Sequence, residues 1–232
     1  MTSTTSAYVI EPPKIAAVAV ASGGLFPVRR VFCVGQNYSE HAREMGSNPE
    51  VDPPFFFMKP ADALMPDGAV VPYPPQTNDL QHEVELVVAF SGGGRDVAPE
   101  DAEALIFGYA VGLDLTRRDL QAAAKKKGRP WDMSKGFDHS APCGAILPRA
   151  AAGAMASGAI RCRVNGAPRQ SGDLADMTWK IPQIVAFLSA LTEICPGDLI
   201  YTGTPAGVGP ILRGDDVEAT IDGLPPLTVR IG

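Results

Sequence analysis

His82-Glu83-Val84-Glu85-Leu86-Val87-Val88-Ala89-Phe90 runs straight into Ser91-Gly92-Gly93-Gly94. An apolar, β-branched run stopped by a glycine break predicts a strand. Side chains alternate along a strand, so Val84, Leu86 and Val88 share one face and read as core. Glu83 and Glu85 share the other, with Cα atoms roughly 6.5–7 Å apart. Two like charges side by side on an apolar strand are unfavourable unless something positive lies between them or water covers both. The stretch alone leaves two readings open, a solvated edge strand or a pair of ligands for a cation. His82 points away from the carboxylate face by the same alternation.

The rest of the composition narrows the class. A chain of 232 residues is long enough for one large domain with a substantial core. Its net charge of -6, with Lys and Arg clustered only around 117–129, gives no footprint for nucleic acid. Cys33, Cys143, Cys162 and Cys195 are scattered, without a CxxC pair, and read as reduced thiols of a cytoplasmic protein. Met1 to Ala7 lacks the basic-then-apolar pattern of a signal peptide, and no run approaches the ~20 apolar residues of a membrane span. No membrane partner is expected. The 24 glycines and 22 prolines predict many turns and short strands.

Taken in order, Val31 to Val34 and Phe55 to Pro60 read as strands. Between them, His41 and Glu44 are i and i+3 in a short helical segment and would face the same way, although a merely solvated surface turn has the same pattern. Pro99 opens a helix to about Phe107, and Gly108 to Asp114 is a second buried strand ending in an acid. Thr116 with Asp119 resembles a capping box, starting a helix that runs to Lys127 with Gly128 beyond it. Trp131 to Ser140 reads as a loop carrying Lys135, and 148–159 as an exposed connection. Asn165-Gly166 predicts a hairpin turn. Ile181, Ile184, Val185, Leu188 and Leu191 mark an amphipathic helix. Leu199 to Thr202 is a strand, and 217–221 with 227–231 a closing hairpin. The pattern is α+β, dominated by sheet.

Set side by side, several words of this sequence resemble the fumarylacetoacetate hydrolase family. They are Gly35-Gln36-Asn37-Tyr38 with His41 and Glu44, Phe57-Met58-Lys59-Pro60, Glu83-Val84-Glu85, Gly112-Leu113-Asp114, Ser134-Lys135-Gly136-Phe137, and Thr202-Gly203-Thr204-Pro205 with Gly207-Val208-Gly209. They occur in the family's order over roughly residues 30–230 and match its short, single-domain branch. Arg117 to Gln121, Lys127 to Trp131 and Pro54 to Phe57 look most like the fumarylpyruvate hydrolases of gentisate breakdown, and less like acylpyruvases and oxaloacetate decarboxylases.

The resemblance implies a β-roll-like sheet fold, with residues 1–29 as a lead-in packed on a catalytic domain of residues 30–232. It implies a homodimer, a small oxo-acid substrate, and a divalent metal on Glu83, Glu85 and Asp114. Three carboxylates without His or Cys form a hard donor set suited to Mg²⁺ or Mn²⁺, with Ca²⁺ admissible. The same resemblance makes Lys135 the active-site cation and His41 and Glu44 a lid pair that activates water. It places Arg118, Gln121 and Thr204 against the substrate. The expected reaction is hydrolysis of the C–C bond of a 3-acylpyruvate, fumarylpyruvate first, giving fumarate and pyruvate. Oxaloacetate decarboxylation, acetylpyruvate cleavage or isomerisation of an oxo-diacid at the same metal site are the alternatives. Gln36 departs from the pattern, standing where many relatives have Arg. His139 acquires no role from it.

Overall fold

The computed structural model describes residues 8–40 and 53–232. Val84–Phe90 lies in the interior of a six-stranded mixed sheet with the order Leu147–Pro148, Ile106–Leu113, Val84–Phe90, Asp198–Tyr201, Arg30–Gly35, Phe55–Lys59. Every residue of the strand is buried, because both faces are covered. Val84, Leu86, Val88 and Phe90 enter one apolar cluster. Val87 and Ala89 enter a second on the opposite side. The solvated-edge reading of Glu83 and Glu85 is therefore wrong: the strand has neighbours on both sides.

A five-stranded sheet packs on the first cluster, in the order Ala167–Asp173, Ala159–Val164, Asp216–Ile221, Leu227–Ile231, Val70–Val71. Its inward residues, such as Ile160, Val164, Ala219 and Val229, alternate with exposed ones as a half-buried sheet requires. Its first hairpin turns at Asn165 and Gly166, both at positive φ (52° and 76°), as a two-residue turn between twisted strands demands. Three short strands, Thr116–Arg117, Leu80–His82 and Gly209–Pro210, form a small sheet beside the entrance to the central strand. Near the N-terminus, Ala17–Ala19 pairs with Leu25–Pro27, and Val18 and Phe26 join the second cluster. The result is the expected sheet-rich α+β fold, with a few short helices and no closed barrel. Among the described residues no helix is long and apolar enough to cross a membrane.

Local chemistry moves several boundaries. The helix expected from Thr116 spans Arg118–Lys126 instead. Thr116 and Arg117 pair with Gln81 and Leu80, and the Thr116 hydroxyl donates to the Asp114 carbonyl rather than capping. Asp119 accepts from the Thr77 hydroxyl and the Asn78 amide, so no capping box forms. Pro99–Leu105 is a 3₁₀ helix that ends short of Phe107. The expected loop around Lys135 contains a helical turn, Asp132–Lys135. The 148–159 connection holds another, Arg149–Ala152, and buries Met155.

Candidate metal centre and substrate pocket

Glu83 stands immediately before the central strand, Glu85 within it, and Asp114 just past the end of the strand paired with it. Register brings the three together. Glu85 lies opposite Gly112, and the Asp114 amide donates to the Glu83 carbonyl at 2.9 Å. Gly112 keeps this register close: a Cβ would come within 2.5 Å of the Tyr201 ring and of Val87, which would have to shift. The three carboxylates are 1–4 % exposed, and one oxygen from each lies within 4.8 Å of the others.

Cations and amides surround this cluster. Lys135 Nζ donates to Glu83 Oε2 at 2.8 Å and to Asp114 Oδ2 at 2.7 Å. Arg118 Nη2 donates to Glu83 Oε1, while its Nε and Nη1 donate to Gln81 (2.8 Å) and Gln121 (2.6 Å). Glu85 Oε2 accepts from the Gly203 amide at 2.8 Å. Beneath them lies Lys59, with Nζ 2.8 Å from Asp114 Oδ1 and hydrogen-bonded to the carbonyls of Leu115 (3.1 Å) and Lys135. The ammonium is off the hydrogen-bond direction of Oδ1, which is buried and accepts no hydrogen bond.

Charge and burial set the protonation tendencies. Burial, and then the Asp114 and Glu83 charges, push the Glu85 carboxyl well above the ordinary carboxylate range. Burial acts against the Lys135 ammonium, but Asp114 and Glu83 outweigh it and raise its pKa.

The donor set fits a hard divalent cation. Such ions take oxygen ligands at about 2.0–2.6 Å, so oxygens held by one ion lie within roughly 5 Å of each other. The three carboxylates meet that limit, Asp114 Oδ1 accepts no hydrogen bond although the Lys59 ammonium lies 2.8 Å from it, and a cation would relieve the repulsion that raises Glu85. The pocket above them is a narrow cleft, lined also by Gln36, Phe57, Arg118, Gln121, Trp131, Lys135 and Thr204. Phe57 and Trp131 form its apolar wall, with the Lys135 ammonium 5.1 Å from the Phe57 ring centre.

Seven of the nine site residues expected from sequence thus meet in one place: Glu83, Glu85, Asp114, Lys135, Arg118, Gln121 and Thr204. His41 and Glu44 lie outside the described residues. Arg118 is a partly buried, three-partner residue rather than a solvated helix position. His82 stays out of the centre as alternation required, with Nδ1 on Gln170 and burial lowering its pKa. His139 is half-buried and does not line the cleft. Sequence reasoning missed Lys59 and Gln170. Lys59 had a signal, since Phe55, Phe57 and Lys59 share one strand face by period two. Gln170 had none, being the one buried side chain of an otherwise exposed or half-exposed strand.

The family model for the fumarylacetoacetate (FAA) hydrolase C-terminal domain matches residues 30–232. A solved structure of fumarylpyruvate hydrolase from Pseudomonas aeruginosa, in complex with Mn²⁺ and pyruvate, superposes with a TM-score of 0.95 at 45 % identity, covering 97 % of this chain and 99 % of that one. The fumarylpyruvate hydrolase of a Ralstonia species is 41 % identical over 182 residues, 78 % of this chain and 94 % of its own. An oxaloacetate tautomerase of Escherichia coli strain K12 is 41 % identical over 207 residues, 89 % of this chain and 94 % of its own.

Proposed function

This chain belongs to the fumarylacetoacetate hydrolase family, and from that premise we propose that it hydrolyses fumarylpyruvate to fumarate and pyruvate with a divalent cation on Glu83, Glu85 and Asp114. The observation that carries this reading is the likeness, at 45 % identity over nearly the whole chain, to a fumarylpyruvate hydrolase bound to Mn²⁺ and pyruvate. Electrostatics support it. Three carboxylates face the cations of Lys59, Lys135 and Arg118, so the cluster is close to neutral by itself. A divalent cation makes it doubly positive, which suits a substrate carrying two carboxylates.

A divalent cation held by Glu83, Glu85 and Asp114 would supply Lewis acidity to the acylpyruvate and favour its enolate. Arg118, held by Gln81 and Gln121, presents its remaining N–H groups to the pyruvyl carboxylate, with Gln121 beside it. Thr204 donates to the same end of the substrate. His41, oriented by Glu44, takes a proton from the water that attacks the distal ketone. The C–C bond then breaks, its electron pair passes to the pyruvyl fragment as an enolate, and Lys135 stabilises that charge before the carbon is protonated.

A second reading is conversion between the enol and keto forms of oxaloacetate, favoured by the 41 % identity to the tautomerase. It uses the same enolate stabilisation and no water attack. The two are separated by following the ultraviolet absorbance of fumarylpyruvate and of the oxaloacetate enol with Mn²⁺ or Mg²⁺, then again after EDTA. Rapid, EDTA-sensitive loss of fumarylpyruvate is expected. Turnover of oxaloacetate enol with fumarylpyruvate untouched would replace the first reading by the second.

A further inference from the structure

Behind the cleft, outside its lining, lies Gln170, 1 % exposed. Its amide is fully engaged. Oε1 accepts from the Val84 amide (3.1 Å) and from His82 Nδ1 (2.8 Å), and Nε2 donates to Thr204 Oγ1 (2.7 Å) and to the Pro205 carbonyl (2.8 Å). The orientation of that amide is dictated by its surroundings. Val84 N–H can only donate and the Pro205 carbonyl can only accept, so exchanging oxygen and nitrogen would oppose like groups at both ends. His82 must therefore carry its proton on Nδ1.

Thr204 inherits a direction from this. A hydroxyl has one hydrogen and two lone pairs. With one lone pair occupied by Gln170 Nε2, the hydrogen cannot point back and is left to the cleft that Thr204 lines. The adjacent Gly203 amide holds Glu85, and the Thr202 hydroxyl donates to the Leu86 carbonyl at 2.9 Å. The loop is thus fixed at three consecutive residues. The middle contact serves a proposed metal ligand, and the Gln170 contact sets the hydroxyl of the residue that lines the cleft.

We propose that Gln170 is a positioning residue that fixes the Thr204 hydroxyl as a hydrogen-bond donor to an anionic oxygen of the substrate. This rests on the reading above, in which Thr204 touches the pyruvyl end. Gln170→Glu keeps shape and both acceptor roles toward Val84 and His82. Its second oxygen accepts from the Thr204 hydroxyl where the amide donated, so the Thr204 hydrogen turns away from the cleft, and it opposes the Pro205 carbonyl that the amide had satisfied.

The test is a double-mutant cycle read by calorimetric titration of pyruvate into Mn²⁺-loaded protein, with KM and kcat for fumarylpyruvate alongside. Gln170→Glu and Thr204→Val should each weaken pyruvate binding and raise KM by about 10- to 100-fold, the worth of one hydrogen bond to a charged group, with kcat moved less. The double variant should be no worse than either single one. Multiplying losses, or wild-type pyruvate binding by Gln170→Glu, would overturn the proposal. Thr204→Ser keeps the hydroxyl and should bind as wild type while Thr204→Val does not; equal binding by these two overturns it even if Gln170→Glu does not fold. A wild-type protein that binds Mn²⁺ but not pyruvate would overturn the functional reading and this inference with it.

Discussion

Replacing Lys59 by Met tests whether the centre is held by countercharge from below. The side chain is 1 % exposed, and Met fills nearly the same space without the charge. The substitution removes the ammonium 2.8 Å from Asp114 Oδ1 and deprives the carbonyls of Leu115 and Lys135 of their donor. Breaking a buried ion pair from one side costs about 3–5 kcal/mol. At about 2–4 °C per kcal/mol for a chain of this length, the metal-free variant should melt roughly 6–20 °C below wild type. The metal-induced rise should move the other way. A ligand at 100 times its Kd adds about 2.7 kcal/mol, and in the variant the ion also compensates an Asp114 that has lost a cation. Thermal denaturation by circular dichroism, in EDTA and then in Mn²⁺, reads both quantities. A metal-free variant melting within about 2 °C of wild type, judged against that predicted loss, would refute the reasoning, because Lys59 would then not be the charge that makes the buried carboxylates tolerable.

Glu85→Gln should leave the metal-free protein at least as stable as wild type at pH 7 while abolishing its Mn²⁺-dependent rise in Tm. The sign follows from the raised carboxyl: its stabilisation is present below the ordinary carboxylate range and is lost as pH rises toward the raised value, so at neutral pH the metal-free fold gains when this acid is removed. Gly112→Ala places a methyl group 2.5 Å from the Tyr201 ring and Val87 and should cost about 1–3 kcal/mol through overpacking, visible as a lower Tm in EDTA; an unchanged Tm would contradict the pairing of Gly112 with Glu85. His41→Ala should lower fumarylpyruvate turnover by about 10²–10⁴-fold and spare oxaloacetate tautomerisation. Equal losses in both reactions would remove the water-activating role assigned to His41.

What the sequence disclosed follows from what each signal measures. The Glu83–Glu85 strand, the Asn165-Gly166 hairpin and the Ile181–Leu191 helix were legible because periodicity and turn chemistry are local. The helix at Arg118 was misplaced because Thr116 is claimed by a strand partner at Gln81, which is 35 residues away and invisible to local patterns. Glu83, Glu85 and Asp114 could be grouped only through family resemblance, since spacing alone left the edge-strand reading open. Gln170 shows the limit most clearly. A polar residue on a strand flanked by Arg169 and Ser171 looks solvent-facing, and only the packing of that strand against the start of Val84–Phe90 turns it inward.

The arrangement of charge also bears on how the centre and the fold depend on each other. Carboxylates that must share an ion often cannot be assembled without it, which makes a small metalloprotein unfold when the metal leaves. In this fold Lys59 rises from the edge strand Phe55–Lys59, Lys135 from the turn Asp132–Lys135, and Arg118 from the first residue of its helix, and each reaches a carboxylate directly. Glu83 and Asp114 are therefore paired with cations that belong to the fold itself, and Glu85 is held by the Gly203 amide. Metal removal should accordingly silence the chemistry while the sheet stays folded. Two of the three cations have a second attachment: Lys59 holds the carbonyl of Lys135, and Arg118 is braced by Gln81 and Gln121. The same bonds that neutralise the acids thus fix where the Lys135 ammonium and the Arg118 guanidinium stand, so the side chains assigned to substrate charge are in position before substrate arrives.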